Sequence, residues 1–212
     1  MSKVIYSVSM SLDGYAAGPG QSPEHPLGVG GERPHDWMRE LAAWRSDAGL
    51  SGGVTNASTA IYEEEDVDAG AIVMGRGMFG GGGPADDEWI GWWGDEPPFH
   101  LPVFVVTHHP RQTLHLGGGT SFTFVTEGPE AAVARARAVA GDRDVAVAGG
   151  ATVGRQLLAA GLVDELTVHL VPVCLGGGVR LFDGPGLADL SLSQEWVVEA
   201  PGVTHLRYRA ER

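Results

Sequence analysis

The sequence predicts an α/β fold whose central sheet is mostly parallel and ends in an antiparallel hairpin. Short apolar runs alternate with longer helical patterns, the order expected where crossover helices join parallel strands. The last two strand-like segments are instead joined by Ala200-Pro201-Gly202, whose residues favour a tight turn. Because no linker-like stretch divides the 212 residues, we expect a single domain over 1–212.

The first half of the chain begins with a strand and continues through a long loop. Residues 4–10 are rich in β-branched and aromatic side chains and stop at the turn Asp13-Gly14, which predicts a strand. Residues 17–35 contain five glycines and four prolines and predict a loop. Residues 36–44 predict a helix that presents Trp37, Leu41 and Trp44 on one face. The acidic run 63–66 is typical of a solvated turn or helix face, so we assign it no chemistry.

The second half repeats strands and helices in the order expected of a parallel sheet. Apolar or β-branched runs predict strands at residues 71–74, 102–107, 121–125, 144–148 and 166–173. Pro129 begins a helix at its favoured first position, and Gly141 ends it. A second helix is predicted over 152–160, before Gly161. The segments 195–199 and 203–209 form the terminal hairpin.

Charge and cysteine content exclude several classes of function. The chain has 14 Lys and Arg against 27 Asp and Glu, a net charge of −13. An acidic protein is poorly suited to track a phosphate backbone or an anionic membrane, so we expect neither partner. Cys174 is the single cysteine, which excludes an intrachain disulfide and favours a reducing, cytoplasmic location. Its apolar surroundings predict an inert core residue.

The loop 80–98 combines glycines with tryptophans and could form a lid. Gly80 to Gly83 give it flexibility at one end, and Trp89, Trp92 and Trp93 give it apolar area at the other. Trp92 and Trp93 could cover a flat substrate ring or simply anchor the loop. The acidic residues 86–88 are typical of a solvated loop and are not predicted to bind a metal.

A first glycine turn follows the strand 71–74. Residues 75–80 fit the pattern G-x-G-x-x-G, but the next residues, 81–84, are Gly-Gly-Gly-Pro and cannot sustain the long helix of a dinucleotide fold. What remains is Gly75-Arg76 opening a short helical turn, where backbone N–H groups and a guanidinium suit a phosphate. A tight turn with a surface arginine is an equally good interpretation.

A second glycine turn joins the strand 144–148 to the helix 152–160. Gly149 and Gly150 allow the backbone to approach a ligand closely or to adopt dihedral angles closed to other residues. The turn lies at the carboxyl end of a strand, where open α/β sheets bind ligands. It is a second candidate phosphate site, and a Gly-Gly turn selected for packing is the alternative.

An ordered set of motifs resembles the dihydrofolate reductase-like superfamily, and within it the RibD C-terminal domain of riboflavin biosynthesis. The motifs span nearly the whole chain: Ser9-Met10-Ser11-Leu12-Asp13-Gly14-Tyr15, Val73-Met74-Gly75-Arg76, Ala148-Gly149-Gly150-Ala151, Leu162-Val163-Asp164-Glu165-Leu166, Val171-Pro172-Val173, Leu175-Gly176-Gly177-Gly178 and Leu181-Phe182. The resemblance implies a three-layer dihydrofolate reductase-like fold, an enzyme that reduces a small polar molecule with NADPH, and a homodimer.

The resemblance also implies which residues bind the cofactor. Gly75 and Arg76 match the turn at the cofactor phosphates, and Thr107 and His108 match the segment near the adenosine 2′-phosphate. Gly149, Gly150, Ala151, Thr152 and Val153 match the glycine pair and helix start on the pyrophosphate and nicotinamide side. Independently, Arg76 and the cluster His108, His109 and Arg111 favour NADPH over NADH, because a 2′-phosphate needs cationic donors. No metal is predicted, since the adjacent histidines 108 and 109 would point to opposite faces of a strand.

The resemblance is less specific on the substrate side. Asp13 resembles the loop that closes over nicotinamide, and Asp36 resembles the carboxylate that binds a pterin; both are candidate catalytic residues. An Asp at a helix start is also a common N-cap. Candidate substrate-binding residues are Trp37, Trp92 and Arg33, and either Arg39 or Arg45 could replace Arg33 at a substrate phosphate.

Several functions are compatible with this reading. The first is reduction of the ribosylamino-pyrimidine phosphate of riboflavin synthesis at its ribose; the zinc-binding Cys-x-x-Cys of the companion deaminase is absent, so we expect reduction alone. The alternatives are a reductase of dihydrofolate, another pterin or an unrelated imine, and an NADPH-binding protein without catalysis.

Overall fold

The computed structural model describes residues 2–22, 24–65, 68–80 and 88–211. Within these ranges, the strands are β1 (Val4–Ser11), β2 (Tyr15–Ala17), β3 (Ala69–Gly75), β4 (Pro102–Val106), β5 (Leu114–His115), β6 (Ser121–Val125), β7 (Asp144–Ala148), β8 (Glu165–Val171), β9 (Val179–Arg180), β10 (Leu192–Ala200) and β11 (Val203–Ala210). The α-helices are α1 (Asp36–Arg39), α2 (Ala42–Asp47), α3 (Ala57–Glu64), α4 (Arg76–Phe79), α5 (Pro129–Ala140) and α6 (Ala151–Ala159). Two parts of the loop 80–98 lie outside the described ranges: the glycine and proline residues 81–84 and the acidic residues 86–87.

Nine strands form one sheet in the order β10-β11-β8-β1-β7-β3-β4-β6-β5. The six strands from β8 to β6 run parallel, whereas β10, β11 and β5 pair antiparallel at the two edges. β2 and β9 form a separate two-stranded ribbon. The predicted mostly parallel sheet with an antiparallel C-terminal hairpin is confirmed, and α5 and α6 are the crossover helices that join β6 to β7 and β7 to β8.

The two faces of the sheet are covered differently. One face carries α5 and α6, and α6 packs closely on β1 because Gly154 has no side chain: a Cβ there would lie 2.3 Å from the Tyr6 ring. The opposite face carries two separate apolar clusters. Trp37 and Leu41 pack with Val171 and Val203 over β8 and β11, whereas a cluster containing Phe79, Trp93 and Phe122 covers β3, β4 and β6. The second cluster also includes Ala146 and Ala148 of β7, so the strip between the two clusters lies over β1 near Ser7.

The predicted helix over 36–44 is wrong as a single helix. It is broken at Leu41, whose backbone is extended (φ −69°, ψ 137°) and which forms a bridge with Val54. Leu41 is completely buried at this break, next to the bridge with Val54. Trp37, Leu41 and Trp44, which were predicted to share one face, lie in one apolar cluster, although they belong to different segments.

One further prediction needs correction, and one helix was not predicted. That helix, α3, begins at a capping box formed by the side chains of Asn56 and Thr59. Cys174 is exposed and is not the core residue that its apolar neighbours predicted, because the chain leaves β8 at Val171 and turns outward.

Candidate functional site

The predicted cofactor residues lie together at the carboxyl edge of the central parallel strands. Gly75 pairs with Val106 next to Thr107, and Met74 pairs with Ala148 next to Gly149. Because β3, β4 and β7 are parallel neighbours, their carboxyl ends meet at one edge. The topology therefore brings the turns after these three strands side by side.

The first glycine turn has the predicted form. Gly75 ends β3 in extended backbone, and Arg76 opens the single turn α4. Arg76 is half-buried, with its guanidinium carbon 5.7 Å from the centre of the Phe79 ring. The apolar side of α4 inserts Phe79 between Phe122 and Phe124, which fixes the position of Arg76 at the strand end.

The second glycine turn requires glycine at both positions. Gly149 and Gly150 have φ values of 64° and 52°, in the left-handed region that other residues avoid. A Cβ on Gly149 would lie 2.6 Å from the Met78 sulfur of α4, so this glycine lets the two turns touch. A Cβ on Gly150 would meet no atom of the described residues within 4 Å. Gly150 is exposed, so its backbone borders open space.

The start of α6 points donors at this open space. The first helical amides, those of Ala151, Thr152 and Val153, have no intrahelical acceptor by the geometry of an α-helix. Gly150 is the N-cap, and it has no side chain that could satisfy them. Thr152 is exposed, whereas Ala151 and Val153 are buried, so the helix start is firmly seated with one polar side chain outward. An anion is the partner that such a helix terminus favours.

The segment after β4 adds polar groups to the same edge. Thr107 is buried, and its hydroxyl accepts a hydrogen bond from the backbone N–H of His109 at 3.1 Å. This turn places His108 and His109 at the surface. Arg111, in contrast, donates to the Trp89 carbonyl and lies 5.3 Å over the Phe124 ring. The predicted basic cluster thus contains exposed histidines, with Arg111 directed at the loop that holds Trp89.

Asp13 holds a second loop beside the end of β1. Its carboxylate accepts hydrogen bonds from the Ser11 hydroxyl at 2.6 Å and from the backbone N–H groups of Leu175 at 3.1 Å and Gly176 at 2.7 Å. These hydrogen bonds, the Ser11 one foremost, lower the pKa of Asp13 to about 2. Asp13 is therefore an ionised acceptor near neutral pH, and its visible use is to position the loop.

We predict that Asp13→Ala releases this loop. Amide hydrogen exchange at Leu175 and Gly176 should become severalfold faster, because both N–H groups lose their acceptor. In the native protein the pKa of Asp13 is lowered, so the contact is complete above about pH 4 and is lost as the pH falls through about 2. The NMR shifts of the two amides report that titration. Asp142→Ala, at an exposed carboxylate in the turn before β7, is the control; unchanged exchange in Asp13→Ala would contradict the assignment.

The structure distributes the predicted substrate residues over different places. Asp36 is exposed and lines a shallow pocket of about 430 Å³ together with Arg39 and Arg45. The cap of α1 is His35, so Asp36 is not the N-cap that its position also suggested. Trp37 turns the other way, into the protein, and is 6% exposed. Asp36 and Trp37 therefore do not face one cleft.

Arg33 and Trp92 each have a structural partner. Arg33 donates to the Cys174 carbonyl at 3.2 Å, which places its guanidinium beside the loop held by Asp13. Trp92 covers Gly80, where a Cβ would lie 2.3 Å from the indole, and its ring meets Trp89 edge-on at 4.9 Å. These contacts anchor the tryptophan loop on the end of α4. Substrate contact by Arg33 and Trp92 stays a prediction.

One group of polar residues escaped the sequence analysis. Ser7, Ser58, Glu65, His169 and His205 form a connected set of hydrogen bonds beneath Trp37, which we call the histidine network. Glu65 belongs to the acidic run to which no chemistry was assigned. The available signal was alternation: Ser7, Ser9 and Ser11 occupy every second position of β1, which marks a polar face on a strand. Nothing in the sequence indicated that His169 and His205 share that face.

Comparison with known proteins agrees with this architecture. The family model described as the RibD C-terminal domain matches residues 2–204. A search of curated proteins gave no match. No helix in the described part of the chain is long and apolar enough to cross a membrane.

Several solved structures have a similar fold. A Shewanella sp. PV-4 protein provisionally assigned to riboflavin biosynthesis is 21% identical, with a TM-score of 0.65 and 99% of each chain covered. RibD of Acinetobacter baumannii is 18% identical, with a TM-score of 0.57; all of this chain matches 58% of that one. Dihydrofolate reductase from Enterococcus faecalis, solved with NADP(H), is 15% identical, with a TM-score of 0.53 over 99% of this chain and 97% of that one. The fold is thus dihydrofolate reductase-like. The family-model match over residues 2–204 shows that the protein belongs to the RibD C-terminal domain family.

Proposed function

We propose that this protein is an NADPH-dependent reductase that transfers hydride to a C=N or C=O carbon of a small heterocyclic metabolite. Family membership supports an oxidoreductase. The observation that carries the cofactor is the meeting of the two glycine turns, with Gly149 against Met78 and open space beside Gly150. A cytoplasmic homodimer stays part of this proposal.

The residues at the carboxyl edge fit a dinucleotide. The amides at the start of α6 and the guanidinium of Arg76 would hold phosphate oxygens, and Thr107 and His108 would lie on the adenosine side. The missing side chain of Gly150 leaves room for a ligand to approach the backbone. When bound, NADPH supplies the hydride, and the protein supplies orientation and exclusion of water.

The first substrate to test is the ribosylamino-pyrimidine phosphate of riboflavin synthesis. Arg33 offers a cation beside the loop held by Asp13, close to the end of β1. Arg180 lies near the same loop, since it donates to the Asp13 carbonyl at 3.3 Å and sits 4.5 Å over the Tyr15 ring. Two guanidinium groups at one end of the site are suited to a substrate phosphate. Dihydrofolate belongs in the same screen because the fold is shared with dihydrofolate reductase.

We predict that the protein binds NADPH much more tightly than NADH and that Arg76→Ala weakens NADPH binding by about 10- to 100-fold, the usual effect of losing a charge-assisted hydrogen bond. The measurement is quenching of the six tryptophans on titration with each nucleotide. Arg143→Ala is the matched control, because Arg143 is exposed and precedes β7 at the opposite edge of the sheet. If neither nucleotide bound, the glycine turns would be structural and the reductase proposal would be wrong.

A further inference from the structure

The histidine network links a buried helix start to the surface of the central sheet. The hydroxyl of Ser58, at the start of α3, lies 2.9 Å from His205 Nε2. The Nδ1 atoms of His205 and His169 lie 2.7 Å apart. Nε2 of His169 lies 2.6 Å from Glu65 Oε1 and 2.8 Å from Ser7 Oγ, and Ser7 Oγ donates to the same carboxylate at 2.6 Å. Four polar side chains on β1, α3, β8 and β11 and that of Glu65, directly after α3, are therefore joined without a gap.

The network is enclosed except near Ser7 and Glu65. His205 is 0% exposed and His169 is 3% exposed, with the Trp37 ring 4.8 Å from each imidazole. The Glu65 side chain is 23% exposed, and Ser7 is half-buried. The other titratable groups facing the network are His35 before α1, Tyr62 on α3 and Arg207 on β11, which donates to Thr167. Protons can therefore enter or leave the network at the Ser7 and Glu65 end.

The bonding pattern fixes where protons can lie. Two facing Nδ1 atoms need one proton between them, so one ring donates and the other accepts. If His205 donates from Nδ1, both rings are neutral, His169 donates from Nε2 to Glu65, and Ser58 donates to His205. If His169 donates from Nδ1 as well as from Nε2, it is an imidazolium beside the Glu65 carboxylate, and His205 donates to Ser58. The network accepts one additional proton without breaking a hydrogen bond.

Ser7 connects the histidine network to the candidate cofactor site. Tyr6 and Val147 are the last pair in the parallel ladder of β1 and β7, and the next residues of the two strands are Ser7 and Ala148, which directly precedes Gly149. Ala148 packs with the cluster over β3 and β4, and His169 packs against Trp37, so Ser7 lies in the strip between the two apolar clusters. Both Ser7 and Ala148 are only half-buried there. A substrate ring in this strip would meet the Ser7 hydroxyl.

We propose that the pair Glu65 and His169 stores a proton and delivers it through Ser7 Oγ to the substrate, an inference that rests on the proposed function. Bound NADPH would supply the hydride for the new C–H bond and would leave as NADP⁺, and the electron pair of the C=N or C=O π bond would move to nitrogen or oxygen. The Ser7 hydroxyl, which donates to Glu65 in the structure, would turn to that atom and give it its proton, and Ser7 Oγ would take the Nε2 proton of His169. His169 would then be neutral and keep its Nδ1 proton, donated to His205.

The surrounding groups favour this arrangement. Burial and the neighbouring charge of His169 lower the pKa of His205 to about 4, so His205 is a neutral acceptor at pH 7. Burial raises the pKa of Glu65, but the hydrogen bond and charge of His169 and the Ser7 hydrogen bond outweigh it, and the net direction is downward. Glu65 is thus a carboxylate beside Nε2. After delivery it attracts the next proton back to Nε2.

The first test detects the protonation of the imidazole nitrogens by NMR and needs no substrate. In ¹⁵N-edited NMR of the imidazoles, we expect the Nδ1 signals of His169 and His205 to shift together as the pH is lowered, and Ser7→Ala to displace the Nε2 signal of His169. His115→Asn, at an exposed histidine on β5, should leave both rings unchanged. Histidines that titrate independently of each other and ignore Ser7→Ala would overturn the proposal, whatever the protein reduces.

The second test follows hydride transfer in a single turnover. Ser7→Ala should slow it by about 100-fold or more, as expected for loss of a proton donor, with little change in NADPH affinity. The rate in D₂O should be lower than in H₂O for the native protein but not for the variant, and Ser7→Thr should restore the rate. Ser9→Ala is the control on the same face of β1, since Ser9 contacts Trp37 instead.

The outcomes separate the two proposals. A native protein that binds NADPH and reduces a substrate, with Ser7→Ala equally fast and equally sensitive to D₂O, would overturn proton delivery and leave the reductase intact. A native protein that binds no nucleotide would overturn the proposed function, and the NMR experiment would still decide whether the network stores a proton.

Discussion

Gly149→Val is expected to abolish detectable NADPH binding and to destabilise the protein. Valine at φ 64° adopts a strained backbone, which costs about 1–3 kcal/mol. Its Cβ would also lie 2.6 Å from the Met78 sulfur, so the flexible Met78 side chain must repack. Because Met78 belongs to α4, this repacking occurs where the two candidate phosphate sites touch.

The control for Gly149→Val is Gly161→Val. Gly161 has φ 65° and follows α6, the same helix that Gly149 and Gly150 precede, but a Cβ there would meet no described atom within 4 Å. This variant therefore carries the backbone strain without the close contact. We expect it to lose about 1–3 kcal/mol of unfolding free energy and to bind NADPH like the native protein. Urea unfolding and the nucleotide titration measure the two effects.

Gly150→Ala extends the test to a variant that folds. The methyl group would point into space that no described protein atom occupies, so its only cost within the protein is the strain at φ 52°. A loss of NADPH affinity of about 10-fold or more, beyond that of Gly161→Ala, would mean that the ligand fills this space. Equal affinity in the two alanine variants would contradict the placement of the cofactor against Gly150.

The glycine turns were predictable because their signals are local. A buried strand, two glycines and a helix start lie within about ten consecutive residues, and the parallel order of the strands then brings their carboxyl ends to one edge. The short helical turn at Arg76 followed from the inability of the next glycines and proline to continue a helix. The positions of glycine and proline, together with the rule that parallel strands need crossover connections, were sufficient to predict the sheet and the candidate cofactor edge.

The histidine network was not predictable in the same way. Ser7, Glu65 and His205 are separated by 58 and 140 residues. The order of β11, β8 and β1 in the sheet brings His205 near Ser7, and the position of α3 brings Glu65 to the same place. The short pattern Asn56-x-x-Thr59 that begins α3 was readable as a capping box, but it is weak in a glycine- and serine-rich segment. Leu41 shows the other limit: tertiary burial overrides a helical pattern that extends across it.

The stability of the protein is expected to fall by roughly 3 kcal/mol between pH 7 and pH 4 through His205 alone. The folded pKa of about 4 lies below the unfolded value of 6.5, so the unfolded chain binds more protons throughout this interval. The stability is therefore complete above about pH 6.5 and decreases as the pH falls toward 4. The lowered pKa values of Glu65 and His35 act in the same direction.

Urea unfolding at a series of pH values measures this slope, and His205→Asn isolates its source. The variant should be less stable at pH 7, because Ser58 and His169 lose a buried partner, yet its unfolding free energy should decline by roughly 3 kcal/mol less on going to pH 4. His115→Asn should keep the native slope, since that imidazole is exposed on β5. If His205→Asn kept the native slope as well, His205 would not be held neutral in the fold. His205 would then gain its charge in the pH range of an unperturbed imidazole, and the proton of the network would be stored there instead of between His169 and Glu65.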